Sequence, residues 1–282
     1  MMKWVTRPGW LYLAAMLAGS HMSMALAASG VCERVVMTGN PDYPPLLWVN
    51  PDDSGRLMGA AVELLERVLE SSDIHVDALN VGSREQAHEE VRTGRVDVLA
   101  GAFLIPGWLD EMDYVYPSFM EVPSVIFVRR GGAFPYSGWD DLRGKRGGSL
   151  TSSSFGSAFD MYATDHLTIT RFSSIDEAFE RLLSGELDYL IHERHQGVAL
   201  AAQRNLQNEI DMLDGSLINE QLYYAVSHHS ACNSSVLRAA LAKGMYQMVG
   251  QGEARRILEK YRALWSAQFA PATAPEQDSV LE

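Results

Sequence analysis

The stretch that decides the fold runs from Ser83 to Arg130 and reads SREQAHEEVRTGRVDVLAGAFLIPGWLDEMDYVYPSFMEVPSVIFVRR. It begins with a polar helix capped by Ser83, turns at Gly94 into an apolar strand, passes an apolar and aromatic loop, and ends in a second apolar strand. A second copy follows at the same spacing, in which Ser83, Ala87, Glu89, Gly94, Asp97 and Leu99 correspond to Ser174, Ala178, Glu180, Gly185, Asp188 and Leu190. Two copies of helix, glycine and strand predict two similar α/β units. Such units bind ligands at the carboxyl ends of their strands, so we expect function in residues 100–108 and 192–195.

The composition is that of a globular protein with an acidic surface. The chain has 282 residues, of which 47% are hydrophobic, and this is enough apolar material for one large domain or two smaller ones. Its formal net charge is -13. Proteins that bind nucleic acids need clustered Lys and Arg to contact phosphates, so the composition argues against nucleic acid as a partner.

The first 28 residues have the three parts of a secretory signal. Lys3 and Arg7 precede an apolar core over residues 10–18, and the Ala-Leu-Ala at residues 25–27 matches a small-residue cleavage pattern. A retained membrane anchor is the alternative, but the apolar run is shorter than the roughly 20 residues that span a bilayer. We therefore expect residues 1–28 to be a signal peptide that is removed, and the mature protein to be periplasmic.

Two cysteines lie near the two ends of the expected mature chain. Cys32 precedes the first predicted strand, and Cys232 precedes the C-terminal helices. Because exported proteins meet an oxidising environment, we expect one disulfide between Cys32 and Cys232. Two free or buried thiols are the alternative.

Strands and helices alternate along the mature chain, which is typical of α/β proteins. Apolar runs predict strands at residues 33–38, 74–79, 96–100, 124–129 and 222–226. The strand at 124–129 leaves the first unit and the strand at 222–226 returns to it. The predicted organisation is a discontinuous first lobe of residues 29–128 and 222–266, a second lobe of residues 129–221, and a disordered tail of residues 267–282.

Several motifs give the chain a resemblance to a known family. In chain order they are TGNPDYPPL (38–46), GRVDVLAGAFLI (94–105), DEMDYVYPSF (110–119), SGELDYLIHE (184–193), LYYAV (222–226) and GEARRILEKYRALW (252–265). Together they resemble the family 3 solute-binding proteins of ABC transporters, the periplasmic polar-amino-acid binding proteins, from Val35 to Trp265. The resemblance implies the type II periplasmic binding protein fold, in which two lobes, each a mostly parallel sheet flanked by helices, are joined by two hinge strands and close on a small ligand.

The resemblance also shows what this sequence lacks. The family's Thr and Arg, which grip the carboxylate of an amino acid, fall at Ile105 and Trp108, and neither side chain can replace the directed, charged hydrogen bonds of an arginine. The family's ammonium-binding Asp falls at Glu193, which can still accept from a cation. These departures predict a small polar or cationic solute in place of an ordinary α-amino acid.

Seven residues are predicted to contact this ligand. The aromatic ones and one acid form a box suited to an organic cation or a flat ring. Three serines align with the family's Gly-Thr-Thr and offer hydroxyl and N–H groups at a helix start. The predicted contacts are Tyr43, Phe103, Trp108, Ser152, Ser153, Ser154 and Glu193. The plainer alternatives are core or rim packing for the aromatic residues, helix capping for the serines and a solvated surface position for the acid.

We expect no metal ion, no cofactor and no enzymatic activity. His192, Glu193 and His195 lack the spacing and ligand number of a closed metal site. Asp97 and Asp188 each precede a strand, where a structural role is expected. The sequence contains no nucleophile elbow, phosphate loop or HExxH helix.

The predicted function is capture of the solute by a monomer and its delivery to an ABC transporter permease, a partner that the resemblance implies. Two alternatives stay open. Relatives with this fold include a periplasmic dehydratase of cyclohexadienyl substrates, and a module of the same architecture can sense a ligand for a partner receptor.

Overall fold

The computed structural model of the protein describes Met1 and residues 32–270. The rest of the predicted signal peptide and the tail beyond residue 270 lie outside the described residues. No helix in the described part of the chain is both long enough and apolar enough to cross a membrane.

The described chain alternates strands and helices, as predicted. Its strands are β1 (Arg34–Gly39), β2 (Asp42–Tyr43), β3 (Leu47–Asn50), β4 (Asp53–Met58), β5 (His75–Ala78), β6 (Val98–Phe103), β7 (Met112–Tyr114), β8 (Met120–Arg129), β9 (Arg146–Leu150), β10 (Thr168–Phe172), β11 (Tyr189–Glu193), β12 (Ile210–Met212) and β13 (Ile218–Ser227). Its α-helices are α1 (Ala60–Glu70), α2 (Arg84–Arg92), α3 (Ser157–His166), α4 (Ile175–Leu183), α5 (Arg194–Gln203), α6 (Ser235–Gly250) and α7 (Glu253–Ala267). Short 3-10 turns occupy Pro106–Asp110 and Trp139–Leu142.

Two parallel arrangements of strands form the two lobes of the molecule. In lobe 1, β1 lies between β5 and β6, and in lobe 2, β9 lies between β10 and β11. The long strands β8 and β13 run antiparallel between them. The predicted two-lobe fold with two crossing strands is therefore present.

The crossing strands are longer than the sequence predicts, and this changes the sheet. Residues 120–124 of β8 pair with residues 218–222 of β13 before each strand joins its lobe. The hydrogen-bonded strands consequently form one continuous path in the order β10-β9-β11-β8-β13-β6-β1-β5, where separate sheets were predicted. Four apolar clusters divide by lobe, since those on α1, α2, α6 and α7 pack on lobe 1 strands and those on α3 and α4 pack on lobe 2 strands. A fifth, formed by Trp48, Ala199 and Trp265, joins the lobes.

The repeated aspartates perform the same structural task in both lobes. The carboxylate of Asp97 accepts from the N–H of Val36 at 2.8 Å, and that of Asp188 accepts from the N–H of Arg146 at 2.7 Å. Each aspartate thereby holds the start of the neighbouring parallel strand. The structural role predicted for this pair is confirmed.

The repeated glycines end a helix in both lobes. Gly94 follows α2 with φ +76° and Gly185 follows α4 with φ +78°, a left-handed conformation that glycine adopts without steric cost. The preceding helices begin at capping serines. Ser83 accepts from the N–H of Gln86, and Ser174 accepts from the N–H of Asp176.

Helix α7 packs on lobe 1 but also contacts lobe 2. The indole N–H of Trp265 donates to the carbonyl of Ala199 in α5 at 2.9 Å, and this bond is buried. Trp48 packs edge-on against Trp265 with ring centroids 5.3 Å apart. The tail was predicted to begin at residue 267, but Ala267 still belongs to α7 and Phe269 packs on Trp265.

One disulfide joins Cys32 to Cys232, as predicted from the sequence. The Cα atoms lie 5.5 Å apart, within the usual range for a disulfide. Because Cys32 precedes β1 and Cys232 precedes α6, the bond connects the first strand of lobe 1 to its C-terminal helices.

Candidate functional site

Tyr43 lies in the proline-stiffened loop after β1, where lobe 1 faces lobe 2. It is only 7% exposed and packs on the lobe 1 core. The pKa of its phenol is raised well above the usual value, because burial disfavours the charged form and because the carboxylates of Glu193 and Glu220 repel a phenolate. Tyr43 therefore lies near two acids that are distant from it in sequence.

Glu193 ends β11 and caps α5. Its carboxylate accepts from the N–H groups of His195 at 2.8 Å and Gln196 at 2.7 Å. Although the residue is partly exposed, its carboxylate is surrounded by protein, and burial raises its pKa to about 7 in spite of these hydrogen bonds. Glu193 therefore caps α5, a role not predicted from the sequence, and its predicted contact with a ligand stays a prediction.

Glu220 and Asp160 join this group, and sequence reasoning missed both. Burial raises the pKa of Glu220, and the charge of Asp160 raises it further. Asp160 lies in the first turn of α3 and accepts from Ser154 Oγ at 2.6 Å and from the N–H of Phe155 at 3.2 Å. Glu220 fell outside the predicted returning strand, which began at residue 222, and nothing in its spacing distinguished it.

We call Tyr43, Asp160, Glu193 and Glu220 the acidic site. Within the described residues, none of its three carboxylates forms an ion pair of 4.0 Å or less with a basic side chain. The charge of the neighbouring Arg194 lowers the pKa of Glu193, but by less than either of the two hydrogen bonds does. Buried carboxylates without a countercharge favour either protonation or a bound cation.

The predicted serines lie beside the acidic site but do not cap α3. The N-cap of α3 is Gly156, and no side chain caps it. Ser152 is exposed, the carbonyl of Ser153 accepts from Arg171 at 2.9 Å, and Ser154 binds Asp160. Of the three, Ser154 is thus the one that the structure connects to the acidic site.

The two remaining predicted residues lie at the end of β6 and in the turn that follows. Phe103 packs against the same lobe 1 cluster as Tyr43, and its carbonyl accepts from the hydroxyl of Tyr114 at 2.7 Å. Trp108 instead packs on the α2 side of the lobe 1 sheet, where its ring stacks on His88 with centroids 4.0 Å apart. The structure therefore does not assemble Tyr43, Phe103, Trp108 and Glu193 around one cluster.

The lobes touch beside the acidic site. The side-chain amide of Gln196, in the first turn of α5, donates to the carbonyl of Asp42 at 2.7 Å. Together with the bond from Trp265 to Ala199, this contact joins the two lobes. Gln196 and Asp42 were not among the predicted site residues.

Both histidines of the HERH segment are enclosed. Burial lowers the pKa of His192 to about 4, and burial together with neighbouring positive charge lowers that of His195 to about 4. Among the described residues, no group of three His, Cys, Asp or Glu side chains is arranged to hold a metal ion.

Comparison with protein families decides where the chain belongs. The model of the bacterial extracellular solute-binding proteins, family 3, matches residues 35–263. The chain belongs to this family. A comparison with curated protein sequences gave no significant match.

Solved structures similar to this solute-binding protein share its fold at low sequence identity. An amino acid ABC transporter substrate-binding protein, AbpA, from Streptococcus pneumoniae, bound to L-arginine, is 17% identical with a TM-score of 0.60, over 85% of this chain and 97% of that chain. ArgBP from T. maritima, as its P235GK mutant, is 18% identical with a TM-score of 0.58, over 82% and 96%. A histidine kinase sensor domain is 23% identical with a TM-score of 0.60, over 83% and 96%.

These likenesses establish the two-lobe type II periplasmic binding protein fold, which was predicted from the sequence. They also support the interpretation that this chain is a binding protein, since its family and most of these neighbours are named as proteins that bind solutes.

Proposed function

We propose that this protein captures a small organic cation between its two lobes in the periplasm and delivers it to an ABC transporter permease. The single observation that carries the proposal is the acidic site. Glu193 and Glu220 lie close enough to the buried Tyr43 to raise its pKa, and Asp160 lies close to Glu220. None of the three carboxylates has a countercharge from a basic side chain at ion-pair distance in the described residues. A cationic solute would supply the missing charge.

The proposed lobes are residues 29–128 with 222–266, and residues 129–221. Tyr43 comes from the first of these, Asp160 and Glu193 come from the second, and Glu220 lies on the strand β13 that connects them. A cation bound among these residues would favour the closed arrangement, because only closure brings Tyr43 to the carboxylates.

The proposed class of ligand, a cation without a carboxylate, follows from the absence of a carboxylate-binding arginine. The positions at which the family grips a carboxylate hold Ile105 and Trp108, neither of which donates charged hydrogen bonds, so an α-carboxylate has no matching arginine there. We therefore favour cations without a carboxylate, such as polyamines and quaternary amines. The neighbour AbpA is described as bound to L-arginine, a cationic amino acid.

The test is isothermal titration of the purified protein with putrescine, choline, arginine, alanine and glutamate. We expect saturable binding of putrescine or choline and none of alanine or glutamate. Tight binding confined to ordinary amino acids would reject the cation proposal. Native mass spectrometry of the complex, before and after denaturation, checks that the bound molecule leaves unchanged, as it must for a binding protein and not for a dehydratase.

A second candidate is ligand sensing, which the similarity to a histidine kinase sensor domain favours. The acidic site would bind the same cation in either role. Stimulation of a permease's ATPase activity by the loaded protein supports delivery, and its absence together with activation of a receptor kinase supports sensing.

A further inference from the structure

A second region of the molecule lies next to the acidic site, on the other side of strand β13. It is a cavity of about 800 Å³ beside the crossing strands, bounded by the starts of β8 and β13, the start of α5 and the turn between α6 and α7. We call it the hinge cavity, and six residues that line it are Phe119, Glu121, Arg194, His195, Asn219 and Arg255. Small-molecule sites typically have volumes of roughly 300–1,000 Å³, so this cavity is large enough for a ligand.

The strand β13 separates the hinge cavity from the acidic site. Successive residues of a strand point to opposite faces. Glu220 lies close to Tyr43 and Asp160, whereas its neighbour Asn219 lines the hinge cavity. The two sites therefore use opposite sides of the same strand.

The arginines of the hinge cavity lack the partners that most arginines in this protein have. Arg56, Arg146 and Arg181, for example, pair with carboxylates at 3.0 Å or less. Within the described residues, Arg194 and Arg255 form no ion pair of 4.0 Å or less. Arg129, Arg171 and Arg262 also form no such ion pair, so the distinguishing feature of Arg194 and Arg255 is that both line one cavity.

The other polar groups leave this positive charge in excess. Arg194 Nη2 donates to the carbonyl of Gly215 at 3.5 Å, and no described residue accepts from its buried Nε. His195 is neutral at neutral pH, because burial and the positive charges of Arg194 and Arg262 lower its pKa to about 4. Glu121 is the acid of the cavity, but it is exposed, so water screens its charge.

The rest of the lining is apolar. Phe119 and Leu258 are buried, and Met120 and Val249 complete this wall. An apolar wall next to two guanidinium groups fits a molecule with a hydrocarbon part and a negatively charged end, since arginine binds carboxylates through paired hydrogen bonds.

We propose that the hinge cavity is a second ligand site and that it binds a small organic anion, a carboxylate with a short apolar chain. The proposal does not depend on the identity of the solute in the acidic site. Arg194 and His195 come from lobe 2, whereas Val249, Arg255 and Leu258 come from the α6 and α7 region of lobe 1. Because both lobes build its walls, an anion bound there contacts both lobes.

The test is isothermal titration of the full chain with hexanoate at low ionic strength, with hexanamide as the uncharged comparison. We expect one hexanoate per chain, no binding of hexanamide, and an affinity at least about tenfold lower in R194Q/R255Q, since the charge-assisted hydrogen bonds of both guanidinium groups are lost. The matched control is R84Q, which removes an exposed arginine on α2 far from the cavity and leaves the affinity unchanged.

Two further variants make the outcome decisive. R255E changes an exposed position of α7 that folding does not require, and it must lower hexanoate affinity even if the double variant proves unstable. E220Q must leave hexanoate affinity unchanged, because Glu220 faces the other site. Absence of hexanoate binding by the parent protein, equal affinity of R255E and the parent, or loss of hexanoate binding in E220Q would each overturn the proposal.

Discussion

The acidic site and the hinge cavity lie on opposite faces of β13 and carry charges of opposite sign. On one face, Glu220 shares its surroundings with Asp160 and Glu193, and on the other, Asn219 lies in a cavity with Arg194 and Arg255. In both regions the charges lack ion-pair partners, although most charged groups elsewhere in the described chain have them. The net charge of -13 therefore does not predict the sign of the charge in each of the two regions.

The comparison also gives a physical criterion for a ligand site. A charge that is removed from water and left without a partner costs free energy, so it persists where a ligand supplies the partner. The criterion selects Glu193, Glu220 and Arg194 without reference to any relative, whereas Arg255 is an exposed charge at the rim of the hinge cavity. It makes the two faces separable by experiment, because a change on one face should not affect binding on the other.

The largest expected effect comes from Glu220→Lys. The new positive charge lies beside Asp160, pairs with it and repels a bound cation, so we expect putrescine affinity to fall at least about 100-fold, or about 2.7 kcal/mol. Hexanoate affinity should change by less than about twofold, because the substitution lies on the other face of β13. Isothermal titration with both ligands measures the two effects in one preparation.

The matched control is Glu70→Lys, which makes the same charge change at the exposed end of α1. It should leave putrescine affinity within about twofold of the parent value, because water and salt screen distant exposed charges. An equal loss in both variants would mean that overall charge, and not the acidic site, governs binding.

A smaller effect is expected from pH, and it should appear on one face only. The pKa of Glu193 is raised to about 7, so its carboxylate is mostly ionised at pH 8 and mostly protonated at pH 6. Because a cation binds the ionised form, putrescine affinity should be about tenfold lower at pH 6 than at pH 8. The affinity for hexanoate should stay constant, since the arginines remain charged and His195, with a pKa of about 4, remains neutral.

The variant Glu193→Gln tests this assignment. Its amide oxygen can still accept a hydrogen bond from the start of α5, but it does not titrate. The pH dependence of putrescine affinity should become much flatter, leaving only the contribution of Glu220, whose pKa is also raised. An unchanged pH dependence in this variant would assign the titration to another group.

The smallest expected effect is common to both faces and comes from Trp265→Phe. This change removes the hydrogen bond to the carbonyl of Ala199, which joins α7 to lobe 2 in the closed arrangement. A hydrogen bond of this kind contributes roughly 0.5–1.5 kcal/mol, so the affinities for putrescine and hexanoate should both fall by about two- to tenfold.

The control for this prediction is Trp139→Phe. The indole N–H of Trp139 donates to the carbonyl of Leu217 at 3.2 Å, and both residues pack in one lobe 2 cluster, so the bond does not join the lobes. Its loss should lower the melting temperature without changing either affinity. A change in only one affinity in Trp265→Phe would mean that the two sites do not share a closing motion.

The sequence predicted the fold well because the fold depends on local patterns. Ser83 and Gly94 mark the ends of one helix, and their repetition at Ser174 and Gly185 revealed the second lobe. The pairing of residues 120–124 with 218–222 was missed, since a strand's length depends on its partner as well as on its own residues.

The site was predicted less well because it depends on which distant side chains meet. The family pattern selected Tyr43, Ser154 and Glu193, which belong to or contact the acidic site proposed here, but Asp160 and Glu220 became visible only when the chain was folded. Trp108 shows the opposite difficulty. Its position after a strand suggested a ligand contact, whereas its ring found a stacking partner in His88 on α2.

The disulfide between Cys32 and Cys232 has a consequence for how the molecule breaks. The two sulfur atoms close a ring that contains most of the described chain, because the cysteines lie 200 positions apart in the sequence. A protease that cuts one peptide bond within this ring leaves both fragments covalently attached to each other. Such a nicked molecule would migrate as a single species in denaturing electrophoresis until a reductant is added. Its two fragments would stay linked as long as the disulfide is intact.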